Sequence, residues 1–426
     1  MKRTKVLALI LAVAVLATAV FALTACKDDE TKGEITLPAY EAIETPDYSS
    51  VTVPADFKIG FIFLHDANST YDKNFIDAAE EAVAAMGLTD AQVEYRTNID
   101  ESEECYNTAR ELVDAGCDVI FADSFGHETY MLKAAREFPN VEFCHATGTM
   151  AHTAGLANFH NAFASIYEGR YLAGIAAGMK LKELYGDENG NVSAENAKIG
   201  YVGAFTYAEV ISGYTSFYLG AKSVVSNVTM EVTFTGSWYD EAAEREGANN
   251  LISRGAKLIS QHADSMGAPS ACEVAGIPNV SYNGSTYSAC PNTFIVSSRI
   301  NWVPYFKYII AQKAKGEAIA ADYTGSIKDG SVVLTNLGSA AAAGTVEAIV
   351  AARTQLANGT LNVFDTSKFT VGGETKTSYK ADVDTDDKYT PDTEVIENGI
   401  FRESKFRSAP YFDLRIDGIT LLDEKF

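Results

Sequence analysis

The chain has 426 residues and a formal net charge of −23, from 34 Lys plus Arg against 57 Asp plus Glu. Hydrophobic residues make up 47%, enough for a sizeable core, which excludes global disorder. The acidity excludes a general nucleic-acid binder, because no wide basic face exists to neutralise a phosphate backbone, and it argues against docking on anionic lipid.

The chain opens differently. Lys2, Arg3 and Lys5 precede an apolar run over 6–23, a basic region followed by a hydrophobic one, as in an export signal. Leu23-Thr24-Ala25-Cys26 fits a bacterial lipobox, so residues 1–25 are expected to be removed and Cys26 acylated. The alternative is an uncleaved transmembrane span. No other apolar stretch reaches the roughly 18 residues needed to cross a bilayer. Residues 26–56 are polar, with Pro38, Pro46 and Pro54, and read as a linker.

Order is expected from 58–64, a short, continuously apolar, β-rich run typical of a strand buried on both faces. A helix follows over 74–86, with Gly87 as its stop. Strand-like segments at 93–96, 119–122 and 141–144 then alternate with helical ones at 101–115 and 128–138. After Phe159 the pattern restarts. Helices at 168–184, 210–225, 240–254 and 268–275 alternate with strands at 198–202, 229–234, 257–261, 280–282 and 294–297, and 302–315 is helical. Two runs of βαβ units predict two doubly wound α/β lobes with helices on both faces of each sheet. From about Leu361 the chain is aromatic, Thr-rich and Asp-rich, which reads as hairpins or extended structure.

Ligands of such sheets sit at the C-terminal ends of the strands. Those ends carry 65–72 (with Tyr71 and Asp72), Asp123-Ser124-Phe125-Gly126-His127, His145 to Gly148, Phe205 to Tyr207, Gly236 to Tyr239 (with Trp238), His262 to Ser265 (with Asp264), Asn283 to Ser285, and Arg299 to Trp302. Aromatic residues alternate there with short hydrogen-bonding groups. A flat heteroaromatic ligand needs this arrangement: ring faces stack on it while polar side chains read its edge. Taken one at a time, such aromatics more often pack the rim of a sheet.

Catalytic signatures are missing. There is no GxSxG, HExxH, Walker A or strand-linked GxGxxG, and the six histidines have no metal-ligand spacing. Asp66, Asp72, Asp123 and Asp264 could supply an acid/base pair, but isolated Asp at these positions usually caps a helix. His65, His127, His145 and His262 either line the cleft as neutral groups or are satisfied rim residues. Cys105, Cys117, Cys144, Cys272 and Cys290 read as small buried apolar residues, with a Cys272–Cys290 disulfide as the alternative.

The lipobox, the two α/β lobes and five strand-end and helix motifs resemble the basic membrane protein family of substrate-binding lipoproteins. The motifs are Phe121 to Gly126, Phe143 to Gly148, Tyr167 to Gly174, Gly236 to Asp240, and Gln261 to Ser265. The resemblance covers roughly 58–316. It implies a type I periplasmic-binding-protein fold: lobe 1 from 57–160 plus 302–316, lobe 2 from 161–301 plus 317–356, a hinge with crossings near Asn161, Arg299 and Lys315, and a C-terminal β-rich extension over 357–426. It implies an extracytoplasmic, membrane-anchored, monomeric protein that delivers a purine base or nucleoside to an ABC permease, without cofactor, metal or enzymatic activity. The ligand-binding residues it implies are Tyr71, Asp72, Phe75, Ser124, Phe125, Gly126, Trp238, Asp264, Asn283, Arg299 and Trp302, with Cys26 as the lipidation site. Departures from the nucleoside-binding pattern, at Ile76, Asn283 and Arg299, shift the expectation toward a free base such as adenine. The alternatives are a surface purine-processing hydrolase and a ligand-sensing lipoprotein.

Overall fold

The computed structural model describes residues 33–383 and 390–424. The signal segment and Cys26 lie outside the described residues. Thirteen strands among the described residues build the two main sheets: β1 to β12 in chain order and a last one near the C-terminus. β1 to β12 are Ile59–Ile62, Val93–Arg96, Val119–Ala122, Glu142–Ala146, Phe159–Ala164, Lys198–Gly203, Thr229–Phe234, Leu258–His262, Asn279–Tyr282, Phe294–Ile300, Asp322–Gly325 and Val332–Leu334.

The first sheet runs β11-β5-β4-β3-β1-β2 and is parallel throughout. The second runs β12-β10-β9-β8-β6-β7 and ends on the C-terminal strand Ile419–Leu421. Only β12 is antiparallel to its neighbour there. The apolar runs behave as expected of central strands: every residue of β1 and β3 is buried, because helices cover both faces. The two doubly wound sheets are those read from the sequence, and they give the fold of a type I solute-binding protein.

Three segments cross between the sheets: 165–166, 301–302 and 326–331. They lie side by side, with Ser165 N–H on Gly325 O at 2.8 Å and Asn301 N–H on Ser331 O at 2.7 Å. The expected boundaries need correction here. The chain leaves the first sheet after Ala164, not near Asn161, and β11 returns to that sheet as an edge strand although it lies within the range assigned to lobe 2. Its sequence, Asp322-Tyr323-Thr324-Gly325, carries little of the apolar signal of a central strand. The C-terminal stretch forms two short antiparallel pairs, Lys380–Ala381 with Thr393–Glu394 and Ile396–Glu397 with Ile400–Phe401, and its last strand, Ile419–Leu421, pairs with β7.

Residues 34–56 do not form a free linker. Ile35 pairs with Leu337, Glu44 N–H bonds Lys328 O at 3.1 Å, Arg353 covers the Tyr40 ring at 4.7 Å, and Gln92 Nε2 donates to Pro54 O at 3.0 Å. The segment is therefore laid across the crossings from one lobe to the other.

The helix Tyr167–Tyr185 is rich in small residues because it packs almost backbone to backbone on Ala208–Val224. A Cβ on Gly174 would stand 2.1 Å from Phe217 O, and one on Gly220 would stand 2.0 Å from Tyr171 O. The five described cysteines are buried and unpaired, so the Cys272–Cys290 alternative is not realised.

Candidate functional site

The C-terminal ends of the two sheets face each other across a narrow cleft, the place where doubly wound sheets take their ligands. From the first lobe come Leu64, His65, Tyr71, Asp72, Ser124, Phe125 and Thr147. From the second come Glu209, Trp238, His262, Asp264, Tyr282 and Asn283.

The first helix begins earlier than its apolar pattern predicts, at Thr70, because Ser69 caps it by accepting from Asp72 N–H. Tyr71 and Asp72 are thus fixed on the first helical turn, not on a loop. Asp72 is held on several sides: His65 N–H donates to Oδ1 at 2.7 Å, Ser69 Oγ donates to Oδ2 at 2.5 Å, and His65 Nδ1 lies 3.3 Å from Oδ2. Burial works to raise the Asp72 pKa, but the hydrogen bonds from His65 and Ser69 outweigh it and leave Asp72 an ionised acceptor. The Asp72 hydrogen bond in turn raises the His65 pKa against the opposing effect of burial. Beneath them lies Asp123, fully buried, whose pKa burial and then the Asp72 charge push well up. Tyr71 OH donates to Asp123 O at 2.6 Å.

On the opposite wall, burial, followed by the charges of Glu244 and Asp72, pushes the Asp264 pKa well above the carboxylate range. Asn283 Nδ2 donates to Asp264 Oδ1 at 3.4 Å. Asn283 sits at φ +63°, a left-handed conformation that Asn tolerates better than most residues. His262 and Tyr282 meet with ring centroids 4.5 Å apart and planes tilted by 51°. Behind them is the fully buried Arg170. It has no acidic partner among the described residues: it donates to Gln261 O at 3.1 Å and to Tyr201 OH, and it lies 4.9 Å from the Tyr282 ring centroid. A buried cation spread over carbonyls and ring faces fixes that floor. At the mouth, Phe125 of the first lobe meets Tyr207 of the second at 5.7 Å, Tyr207 stacks on Phe205, and Phe205 meets Trp238 edge-on, both at 5.0 Å.

Of the residues expected at the site, the structure brings together Tyr71, Asp72, Ser124, Phe125, Trp238, Asp264 and Asn283. It does not bring the other four to the cleft. Phe75 lies behind Tyr71 and stacks on Trp302 at 4.5 Å; both are buried in the aromatic core of the first lobe. Trp302 falls there because it starts the helix Val303–Lys315, which covers the first sheet. Gly126 shapes the loop, giving its N–H to Glu101 Oε1 at 2.7 Å, where Ser124 Oγ also donates at 2.6 Å. Arg299 opens into a neighbouring cavity.

Sequence reasoning singled out His65 and His262 without deciding their place; both line the cleft. It missed Glu209, Tyr282 and Thr147. Thr147 sits at φ +66°, an outlier for a β-branched residue, and its buried hydroxyl has no partner. No sequence signal marks such a conformation. No group of His, Cys, Asp and Glu among the described residues could hold a metal ion.

Residues 61–366 match the family model described as ABC transporter substrate-binding protein PnrA-like. The chain is 32% identical over 253 residues to a purine-binding protein of Brucella abortus, covering 58% of this chain and 66% of that one. It is 31% identical over 252 residues to a putative ABC transporter glucose-binding protein of Haloferax volcanii, covering 59% and 60%. The matches thus span less than two thirds of either relative. A nucleoside-binding protein of Lactococcus lactis is 24% identical over 51% of this chain and 58% of its own. Among solved structures, a solute-binding protein from Conexibacter woesei superposes with TM-score 0.58 at 20% identity, over 72% of this chain and 98% of that one. One from Aeropyrum pernix gives 0.60 at 13% identity, over 71% and 92%. These two likenesses concern the fold. With the family model matching most of its length, the chain belongs to the PnrA-like substrate-binding proteins of ABC transporters, a family of solute binders and not of enzymes.

Proposed function

We propose that this protein is an extracytoplasmic lipoprotein, anchored through Cys26, that captures a purine base or nucleoside for an ABC permease. The feature that carries the reading is the pairing, in one cleft, of aromatic faces with two carboxyls whose pKa values are driven apart, Asp264 upward by burial and Asp72 downward, against burial, by its hydrogen bonds. Trp238, Phe125 and Tyr282 offer surfaces to a flat ring. Asp264 keeps a proton to donate, and Asp72 is ionised and accepts. A purine edge sets a ring-nitrogen acceptor beside an amino or N–H donor, so the two carboxyls match it in kind. A ligand lacking either partner leaves a buried group unmatched, at about 1–3 kcal/mol. The names of the Brucella and Lactococcus relatives support the ligand class. A free base such as adenine is favoured, because Asn283 is already turned to Asp264 and Arg299 lies outside the cleft, leaving few groups for a sugar.

The lobes would close over the ligand about the three crossings. The test is a thermal-shift panel of adenine, adenosine, guanosine, glucose and amino acids, followed by calorimetry. A ligand at about 100 times its Kd stabilises by about 2.7 kcal/mol. A purine is expected to give that shift. A shift with glucose, the ligand named for the Haloferax relative, and none with any purine would overturn the reading. Loss of membrane association in Cys26→Ser tests the anchor.

A further inference from the structure

A second cavity, of about 450 Å³, opens between the helix Thr70–Ala85 and the ends of β9 and β10. It shares Asn283 with the cleft. Thr70 stands between the two, donating to Asp264 O from N–H at 3.3 Å and from Oγ1 at 3.0 Å.

Most hydrogen-bonding side chains around this cavity are spent. Lys73 Nζ lies 2.7 and 2.8 Å from the Asp77 oxygens. Asn301 Nδ2 donates to Gly330 O at 3.1 Å, and Ser285 Oγ donates to Glu34 Oε1 at 3.0 Å. Arg299 is the exception. Its guanidinium makes a single hydrogen bond, from Nη1 to Asn74 Oδ1 at 3.1 Å, and no ion pair with any described carboxylate; Glu81 and Asp77 line the same cavity and favour its charge from beyond ion-pair distance. Asn74 is itself clamped, with Nδ2 on Ile300 O at 2.7 Å, so it holds the guanidinium in one orientation. A guanidinium has five N–H donors in a rigid fork. Most of that fork is unused and faces the cavity. Burial lowers the Arg299 pKa, and the charges of Glu81 and Asp77 offset it only in part.

We propose that this cavity is an oxyanion site in which the Arg299 fork binds a phosphate or carboxylate group. Such a group supplies the close, paired acceptors that the fork fits and that neither Glu81 nor Asp77 provides. The oxyanion is either a free anion or the phosphate of a nucleotide whose base lies in the cleft on the other side of Asn283. Only the nucleotide source rests on the purine reading.

The experiment is calorimetry on the full chain with inorganic phosphate, adenine, adenosine and adenosine 5′-monophosphate, comparing wild type with R299Q and, as control, K73Q. Phosphate is expected to bind saturably to the wild type, to weaken by about tenfold or more in R299Q, and to weaken less in K73Q, which leaves the fork intact but frees Asp77 from its ion pair. Adenine is expected to bind R299Q as it binds the wild type. A monophosphate that binds more tightly than adenosine, with an advantage lost in R299Q, places the oxyanion on the ligand. Phosphate and adenine binding together without competition makes it a free anion. If R299Q does not melt cooperatively, R299K, which keeps the charge and loses the fork, must weaken phosphate instead. No saturable phosphate binding together with no monophosphate advantage, or equal values in wild type and R299 variants, overturns the proposal. Phosphate binding with no response to adenine or adenosine overturns the purine reading and leaves the oxyanion site standing.

Discussion

Asp264 provides the sharpest test of the cleft's chemistry. Burial and the charges of Glu244 and Asp72 all oppose its ionisation and push its pKa well up, which makes the neutral acid the form to test at pH 7. In Asp264→Asn the amide oxygen can take the place of Oδ1, accepting from Asn283 Nδ2, and the NH2 then points where the acid's proton pointed. The substitution therefore preserves one donor to the ligand, and adenine affinity at pH 7 should stay within about threefold, well under one hydrogen bond. Asp264→Ala removes the donor and leaves a buried ligand acceptor unmatched, at about 1–3 kcal/mol, or about five- to 150-fold in Kd. The two variants also separate with pH. The wild type loses its donor as pH rises through the raised Asp264 pKa, so its affinity falls there, while Asp264→Asn stays flat. Calorimetric titration of adenine at several pH values reads both effects. If Asp264→Asn binds as weakly as Asp264→Ala, the residue acts as an ionised acceptor and the assignment of donor and acceptor across the cleft is wrong.

Trp238→Ala should weaken adenine by about three- to tenfold if its face contacts the ring, from the roughly 0.5–1.5 kcal/mol of an aromatic pair; unchanged calorimetry would make Trp238 part of the rim alone. Gly174→Ala should destabilise by about 1–3 kcal/mol in urea unfolding, since a Cβ there meets the Phe217 carbonyl at 2.1 Å; wild-type stability would mean the helix pair separates freely. Glu403, buried under the C-terminal segment, has its pKa raised from 4.5 to about 8, chiefly by burial. The folded state holds that proton more tightly than the unfolded one. The Glu403 contribution therefore favours folding at low pH and is lost as pH rises from about 4.5 to about 8, at up to about 1.4 kcal/mol per pH unit. Glu403→Gln should remove that slope, and a pH–stability profile identical to wild type would refute the assignment.

What the sequence showed and what it hid have physical reasons. Central strands such as β1 and β3 are buried on both faces, so their burial is written as an unbroken apolar run. Tyr71, Trp238 and Asp264 were found because a doubly wound sheet places its ligands at strand ends. The same rule misplaced Arg299 and Trp302. A strand that crosses to the other lobe turns its final residues away from the cleft, and the first residue of the next helix then packs into a different core. Edge strand β11 was hidden because an edge needs little apolar sequence. The segment 34–56 looked like a tether because its contacts are scattered ones made by Ile35, Glu44 and Pro54, with no period. The Thr147 backbone and the Arg170 support of Tyr282 depend on distant neighbours that no local pattern encodes.

The strand Ile419–Leu421 has a consequence for how the chain reaches this state. It pairs in parallel with β7, some 190 residues earlier, and Asp423 closes the end of that edge by accepting from Thr233 Oγ1 at 2.7 Å. Until those residues emerge, β7 is an open edge with unpaired backbone groups, the kind of template on which another chain can add. The first sheet has its own late arrival, because β5 must wait for β11. Each lobe is therefore completed by segments made after most of the other lobe. Such long-range closure is slow, so nascent chains carry two exposed sheet edges at once, and a chain stopped short of residue 419 should aggregate through β7 before it loses its cleft.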